Sequence, residues 1–207
     1  MIYVTKIIRI LYLIVVISYG CFAQNSTRDK FIQPELIMDT IGVKSGMIIG
    51  EVGAGEGYFT FKLSNRVGTS GKIYANDIKK NVLDRIKDKA EEEKIENIQI
   101  VIGETEDPLF PVNELDMIVM MLVYHDLEKP VVFFQNLKKY LKPGANVVII
   151  DRDPERWGQG ENHFMAKEEI LESVEKSGYE LVRLEMFLER DNIYIFRPKT
   201  KTTKGTG

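Results

Sequence analysis

The chain has 207 residues and a formal net charge of −3 at pH 7, with 28 basic and 31 acidic side chains. This length favours one domain built around a single three-layer core, without a separate substrate domain. Because the charge is nearly balanced and long basic runs are absent, the composition gives no electrostatic reason to expect a nucleic-acid partner.

The amino-terminal segment has the charged, apolar and small-residue parts of a secretory signal peptide. Lys6 and Arg9 precede the apolar run Ile10–Ile17, and small residues follow up to Ala23. The apolar run is shorter than the roughly 20 residues that a membrane span requires. The pattern therefore predicts export through residues 1–23, so that the protein is periplasmic or secreted.

Two expectations depend on whether this segment is cleaved. An uncleaved segment would anchor the protein in a membrane through residues 7–23, with the rest of the chain facing away from the cytoplasm. Cleavage would remove Cys21, the only cysteine, and would exclude disulfides, zinc thiolates and a cysteine nucleophile. We expect the folded domain over residues 24–198, followed by a polar, disordered tail at residues 199–207.

Apolar strand-like runs alternate with helical patterns along the remaining chain, which is typical of an α/β fold with a mainly parallel sheet. Strands are predicted at Met47–Val52, Lys72–Asn76, Ile98–Ile102, Leu115–Met121, Ala145–Ile150, Leu181–Phe187 and Ile193–Phe196, and helices at Phe31–Thr40, Tyr58–Asn65, Lys79–Lys94, Pro130–Tyr140 and Lys167–Ser177. The connection between the last two strands is too short for a crossover, so these strands should form an antiparallel hairpin.

A glycine-rich segment, Glu51-Val52-Gly53-Ala54-Gly55-Glu56-Gly57, follows the first predicted strand. Three glycines at alternate positions indicate a backbone that turns tightly beneath a ligand, since each would weaken an ordinary helix or strand. The spacing differs from the G-x-G-x-x-G of dinucleotide-binding folds, because Tyr58 takes the place of the third glycine. The carboxylate of Glu51 favours a cationic or amine-bearing ligand over a pyrophosphate.

This glycine loop, together with the closing hairpin, resembles the class I S-adenosylmethionine-dependent methyltransferases, and the resemblance covers roughly residues 31–197. It implies a Rossmann-like three-layer sandwich with a mostly parallel seven-stranded sheet, S-adenosylmethionine as cofactor, and methyl transfer as the reaction. In that family the loop passes under the methionine part of the cofactor. The resemblance therefore implies cofactor contacts from Glu51, Gly53, Gly55 and Gly57.

Two later segments resemble further parts of the family's cofactor site. Asp77 ends the second strand, where a carboxylate can accept hydrogen bonds from the ribose hydroxyls. The segment Gly103-Glu104-Thr105-Glu106-Asp107-Pro108 resembles the loop that recognises adenine. Glu104 or Glu106 would bind the exocyclic amine, and Glu104 and Thr105 are the predicted contacts.

The segment after the fourth strand, Tyr124-His125-Asp126, resembles a motif of a subgroup of small methyltransferases. It should emerge at the ligand-binding edge of the sheet, so these three residues are the catalytic candidates. Imidazole is well suited to accept a proton near neutral pH. The hypothesis is that His125 deprotonates or orients the methyl acceptor, with Asp126 or Asp151 as its partner. The alternative is that Tyr124 and His125 pack over the cofactor without moving a proton.

Charged and aromatic residues near the fifth strand extend this region. Asp151-Arg152-Asp153 follows the strand and could line the acceptor site, and His163 could reach back to it. Trp157 lies in a glycine-bearing segment. We predict that this segment covers the site, or that Trp157 anchors the protein to a partner surface.

Methyl transfer needs positioning and exclusion of water, and it requires neither a metal nor a covalent nucleophile. We therefore predict no metal site and a small-molecule acceptor. Contact with a membrane is expected only if the amino-terminal segment is uncleaved, and the oligomeric state is open. Two alternatives remain: an exported, non-catalytic binding module on the same scaffold, and an NAD(P)-dependent oxidoreductase.

Overall fold

The computed structural model describes residues 28–157 and 163–200. The predicted signal segment at residues 1–23 lies outside the described residues, as does the tail from residue 201 onward. The same holds for residues 158–162 and for the side chain of Trp157, which belong to the predicted cap. Within the described ranges, no helix is both long enough and apolar enough to cross a membrane.

A seven-stranded sheet forms the middle layer of the domain. Its strands are β1 (Ile48–Val52), β2 (Lys72–Asp77), β3 (Ile98–Ile102), β4 (Leu115–Met121), β5 (Leu141–Arg152), β6 (Tyr179–Glu185) and β7 (Asp191–Pro198). They lie in the order β3-β2-β1-β4-β5-β7-β6. Neighbouring strands from β3 to β5 are parallel, whereas β7 runs antiparallel to both β5 and β6. The predicted α/β fold with its closing antiparallel hairpin is confirmed.

Six helices accompany the sheet in the described part of the chain. They are α1 (Pro34–Ile41), α2 (Tyr58–Val67), α3 (Lys80–Glu92), α4 (Pro130–Leu137), α5 (Pro154–Trp157) and α6 (Lys167–Lys176), and residues 28–32 form a helical turn ahead of α1. Proline begins α1, α4 and α5, where the missing N–H has no intrahelical partner in any case. Short 3₁₀ turns lie at Tyr124–Asp126 and Lys138–Tyr140.

Side chains of β4 show why helices cover both faces of the sheet. Successive side chains of a strand point to opposite faces. Ile118 and Met120 join a core cluster with residues of α4 and α6, and Met117, Val119 and Met121 join a second cluster with residues of α1 and α2. All five side chains are buried. A strand that is apolar on both faces must be covered on both, and this produces the three layers.

The structure corrects the bounds of β5. The turn Lys142-Pro143-Gly144 was expected to precede the strand, yet β5 begins at Leu141 because this residue already pairs with Leu115. The register then shifts before the next paired residues, so the turn bulges out of the strand. At its other end β5 continues to Arg152, because the hairpin strand β7 pairs with it up to that residue.

The hairpin strand β6 also begins and ends two residues earlier than predicted. The apolar run from residue 181 to 187 favoured a later strand, but Met186 and Phe187 are exposed. Tyr179, in contrast, is fully buried, and its hydroxyl donates to the carbonyl of Phe134 at 2.9 Å. Burial of a large aromatic ring with a satisfied hydroxyl therefore sets where this strand enters the core.

Candidate functional site

A cavity of about 400 Å³ opens at the carboxyl edge of the sheet. The loops that follow β1 to β4 supply its walls, which places it where ligands bind in open α/β sheets. Its lining residues are Val52, Gly53, Asn76, Asp77, Ile78, Lys79, Glu104, Thr105, Leu122, Val123, Asp126, Leu127, Glu128 and Phe133. Four of the seven predicted cofactor contacts lie in this wall, whereas Glu51, Gly55 and Gly57 do not.

A second cavity of about 550 Å³ lies at the opposite, amino-terminal edge of the sheet. The end of α2, the start of β2 and the residues before β3 line it. None of the predicted site residues belongs to this wall. The chemistry-bearing side chains are therefore gathered at the carboxyl edge.

The glycine loop after β1 depends on a close approach between two loops. Gly53 has a φ of 70°, in the left-handed region that favours glycine. A Cβ at this position would lie 2.4 Å from the side chain of Val123, in the loop after β4. Glycine therefore lets the two loops meet and form one side of the cavity.

Asp77 is fixed in the cavity wall by two backbone N–H groups. The N–H of Gly55 donates to Oδ2 at 3.0 Å, and the N–H of Lys79 donates to Oδ1 at 2.9 Å. Each carboxylate oxygen has capacity for a further hydrogen bond, so Asp77 can still accept from a ligand hydroxyl. The next residue, Ile78, is 53% exposed and offers an apolar surface beside the carboxylate.

Asn76 organises the loop after β3 and was missed in the sequence. Its amide nitrogen donates to the carbonyls of Val101 at 3.1 Å and of Pro108 at 2.9 Å. These bonds fix the base of the loop that carries Glu104, which is exposed and lines the cavity. The signal that could have found Asn76 is an amide at an inward position of an otherwise apolar strand, since buried polar groups are almost always hydrogen-bonded.

The other acid of this loop is already paired. Glu106 forms an ion pair with Lys129, the residue just before α4. Asp107, in the same turn, accepts from the ammonium of Lys139 and the hydroxyl of Tyr140. Of the two glutamates considered for the adenine amine, Glu104 is thus the one in the cavity wall.

Glu51 lies below the glycine loop instead of in the cavity. Its side chain is 2% exposed and accepts a hydrogen bond from the Thr60 hydroxyl at 2.6 Å. Burial, opposed by that hydrogen bond and aided by the charge of Asp77, raises the pKa of Glu51 to about 8. The carboxyl is therefore mostly protonated at pH 7 in this structure. Its contact with a charged ligand stays a prediction.

His125 and Asp151 form a buried pair beside the cavity. Nδ1 of His125 lies 2.7 Å from Oδ1 and 3.0 Å from Oδ2 of Asp151. The backbone N–H of His125 also donates to Oδ2 at 3.1 Å, and the N–H of Arg152 donates to Oδ1 at 2.8 Å. The side chains are 7% and 2% exposed. Of the two partners considered for His125, the structure brings Asp151 into direct contact.

This pair determines which ring nitrogen is available. Burial lowers the pKa of His125, but the hydrogen bond to Asp151 and the charges of Asp151 and Asp126 outweigh it, so the pKa lies above its ordinary value. A carboxylate at Nδ1 holds the proton there in the neutral ring. Nε2 is then left as the acceptor nitrogen, and it lies 3.8 Å from Oδ2 of Asp126.

Tyr124 and Asp126 flank His125 but face different surroundings. Tyr124 is fully buried, and its ring packs edge-on against Phe134 with centroids 5.6 Å apart. Within the described residues its hydroxyl has no hydrogen bond of regular geometry, although the Ser173 side chain lies near enough to oppose the effect of burial, which raises the pKa of Tyr124 to about 12. Asp126 is exposed, lines the cavity, and lies 3.4 Å from Nε2 of His163. Tyr124 is thus placed in the core, and Asp126 at the cavity.

Asp153, which directly follows β5, belongs to a structural network. It accepts hydrogen bonds from Nε of Arg156 at 2.8 Å and from the side chain of Asn192 at 3.2 Å. Although burial raises the pKa of Asp153, these bonds hold it below its ordinary value. It does not line the cavity, and its role is to join α5 to the hairpin.

Comparison with known proteins identifies the family. Residues 43–189 match a family model described as a methyltransferase domain. The chain belongs to this family. Its fold is shared with a solved S-adenosylmethionine-dependent methyltransferase. The match decides against the oxidoreductase alternative.

Similar proteins match different shares of this chain. A structure of an S-adenosylmethionine-dependent methyltransferase from Aquifex aeolicus is 27% identical, with a TM-score of 0.77 over 82% of this chain and 92% of that one. The demethylmenaquinone methyltransferase of Staphylococcus aureus strain MRSA252 is 29% identical over 56% of this chain and 47% of its own length. That of Lactococcus lactis strain IL1403 is 30% identical over 55% and 45%. The chain spans about half the length of these curated relatives.

The cavity fits S-adenosylmethionine. Asp77 offers free acceptor capacity for ribose hydroxyls, Ile78 offers an apolar surface for a flat base, and Glu104 lines the same cavity as an acceptor for an amine. Gly53 removes the side chain that would otherwise crowd the loop beneath the ligand. These residues would hold the cofactor if it binds in this cavity.

Proposed function

We propose that this methyltransferase transfers the methyl group of S-adenosylmethionine to a small-molecule acceptor, and that His125 accepts the proton which the acceptor loses. The observation that carries the proposal is the buried pair of His125 and Asp151 beside the cofactor cavity. The cofactor supplies an electrophilic methyl group. The protein must supply an oriented acceptor and a destination for its proton.

Asp151 is proposed to act through His125. With its two hydrogen bonds to the imidazole and backbone of His125, it fixes the ring and keeps the proton on Nδ1. Its negative charge also stabilises the imidazolium that forms when Nε2 takes a proton. Because the two side chains are nearly buried, water competes little for that proton. Asp151 is therefore a positioning residue, while His125 contacts the acceptor.

The acceptor class follows from this arrangement. A group that accepts a proton is useful where the methylated atom carries one, as in a phenol, a quinol, a thiol or an activated carbon acid. The curated relatives named as demethylmenaquinone methyltransferases support a small, non-polymeric acceptor. With about half of their length matched, they do not identify the molecule, so the acceptor is to be found by a screen.

The test compares Asp151 with Asp153, two buried acids at the carboxyl end of β5. Full-length protein is screened with methyl-labelled cofactor against quinols, phenols and thiols, and active acceptors are then used with the variants. His125→Gln should lower kcat by ~10²-fold or more, and Asp151→Asn should lower it in the same direction. Asp153→Asn is the matched control. Asp153 lies two residues after Asp151, and its carboxylate accepts hydrogen bonds from Arg156 and Asn192.

Binding of S-adenosylhomocysteine, measured by calorimetry, checks that each variant keeps its fold and its cofactor site. Equal kcat for His125→Gln and the parent protein would refute proton transfer by His125. Complete failure to bind S-adenosylhomocysteine by the parent protein would instead favour the non-catalytic binding module.

We further propose that residues 1–23 direct export, so that the protein acts in the periplasm or outside the cell, with a membrane anchor over residues 7–23 as the alternative. The support is the order of charged, apolar and small residues in this segment. Fractionation of the native host, with amino-terminal sequencing of the recovered protein, tests both. A chain that begins at Met1 and remains in the cytoplasmic fraction would overturn the proposal.

A further inference from the structure

We propose that His125, Asp126 and His163 form a site for a divalent transition-metal ion beside the cofactor cavity. One ligand atom from each residue lies within 4.8 Å of the other two. Within residues 28–157 and 163–200, this is the one such group of histidine, cysteine and acidic side chains. It comes from two separate segments, the turn after β4 and the residues before α6.

Two of the distances between the ligand atoms are near those around a small ion. Nε2 of His163 lies 3.4 Å from Oδ1 of Asp126, and Nε2 of His125 lies 3.8 Å from Oδ2 of the same residue. Ligand atoms at ~2.1 Å from a tetrahedral ion lie about 3.4 Å from one another. The three ligand atoms extend to 4.8 Å from one another, so the side chains would have to draw together by up to about 1.4 Å to reach coordination distance, with a fourth position left open.

The pair with Asp151 orients His125 for coordination. A histidine that binds a metal usually donates its second ring N–H to a carboxylate or carbonyl, which fixes the ring and its tautomer. In this structure Nδ1 is bound by Asp151 and Nε2 is directed to the side of Asp126. His163 and Asp126 are more than half exposed, so an ion can reach them. An oriented His125 ring and two ligands that solvent can reach, Asp126 and His163, are features expected of a metal site.

The ligand set selects the class of ion. Two imidazoles and one carboxylate suit Zn²⁺, Co²⁺, Ni²⁺ or Fe²⁺, whereas Mg²⁺ and Ca²⁺ prefer oxygen ligands. The sequence predicted no metal site because methyl transfer does not require a metal; that reasoning did not consider residues that only the fold brings together. His125 and His163 are separated by 37 residues in the sequence, and only the fold brings them together.

The position of the ion would change the role of His125. Asp126 belongs both to this group and to the cavity wall, so an ion here would lie at the border of the cavity. With the metal bound, Nε2 is a ligand and cannot accept the proton, so His125 would act as the base only in the metal-free protein. The open position could then bind an acceptor oxygen or sulfur and favour its ionised form, with the proton lost to solvent. This effect on the reaction rests on the proposed function, whereas binding of the ion does not.

The experiment uses the full-length chain without an affinity tag, treated with a chelator, dialysed, and titrated with CoCl₂ in mild detergent. We expect one Co²⁺ per chain with visible d–d absorption, displacement by an equivalent of ZnCl₂, and no displacement by MgCl₂. His163→Gln should weaken binding at least ~10-fold, and Asp151→Asn by ~10- to 100-fold. Asp84→Asn, an exposed acid on α3, is the control and should bind as the parent does.

Lack of a saturable one-to-one complex in the parent protein, or equal Co²⁺ affinity in His163→Gln, would overturn the metal site. Binding of S-adenosylhomocysteine by every variant shows that the fold is kept. The two proposals fail separately, because the base role is judged from His125→Gln turnover in metal-free buffer and the metal site from the Co²⁺ spectrum.

Discussion

Replacement of Glu51 by glutamine should make the protein's stability less dependent on pH. Glu51 is buried at the end of β1, and burial is the main cause that raises its pKa from 4.5 to about 8. Between these values the folded protein holds a proton on this carboxyl that the unfolded chain has lost. The free energy of unfolding therefore falls as the pH rises through this range, since stability falls wherever the native state binds more protons.

The magnitude follows from the difference between the two pKa values. A shift from 4.5 to about 8 is about 3.5 units, so ionised Glu51 costs roughly 5 kcal/mol of stability once the pH is above 8, at about 1.4 kcal/mol per unit. Between pH 5.5 and pH 9, this one group should lower the free energy of unfolding by about 3 kcal/mol relative to the glutamine variant.

The assay is urea unfolding of the parent protein and of Glu51→Gln at several values between pH 5.5 and pH 9. The difference between the two unfolding free energies removes the contribution of every other titrating group that the variant leaves unchanged. Thr60→Val provides a second perturbation, because the Thr60 hydroxyl bonds the ionised carboxylate at Oε2 and lowers its pKa. Its loss should make the cost above pH 8 larger. A difference that stays constant with pH would refute the reasoning.

Three other substitutions test the site. Gly53→Ala should destabilise the protein by ~1–3 kcal/mol more than Gly42→Ala, measured by urea unfolding, because both have positive φ but only the first places a Cβ against Val123. Asp77→Ala should weaken S-adenosylhomocysteine binding at least ~10-fold by calorimetry, through loss of an acceptor and of the Gly55 contact; unchanged affinity would remove Asp77 from the cofactor site. Tyr124→Phe should change stability by no more than ~1 kcal/mol, since the buried hydroxyl that it removes has no hydrogen bond of regular geometry and only Ser173 near it. A tenfold loss of turnover in that variant would restore a catalytic role for Tyr124.

Local patterns predict the strands well where their signal is complete. β3 and β4 have the predicted bounds: β3 is a mostly apolar run between Asn97 and Gly103, and β4 is a mostly apolar run that begins after Glu114. β5 was predicted too short, since Pro143 and Gly144 normally mark a turn. That turn exists, but it bulges between residues that both pair with β4, and pairing across a bulge is a property of two strands that one segment does not reveal.

The cofactor side of the site also contains residues that a single segment reveals and residues that it does not. The glycine loop and Asp77 could be found because each is a residue type at a defined distance from a strand. Leu122 could not, although it lines the cavity with a φ of 56°. A bulky residue is rare in that conformation, and no propensity predicts it. Its N–H bonds the carbonyl of Ile150 at 2.8 Å, so the partner strand holds the chain there.

The partner of His125 shows what such long-range pairing contributes. Asp126 is its neighbour in the chain, yet that side chain is 58% exposed and its carboxylate is 3.8 Å from Nε2. Asp151 becomes the direct partner because Met121 of β4 pairs with Ile150 of β5, which brings the ends of the two strands to the same level. A shift of this register by one residue would also turn Asp151 to the other face of the sheet. The bulge at the start of β5 therefore lies far from the cavity but helps to set the register on which the His125–Asp151 pair depends.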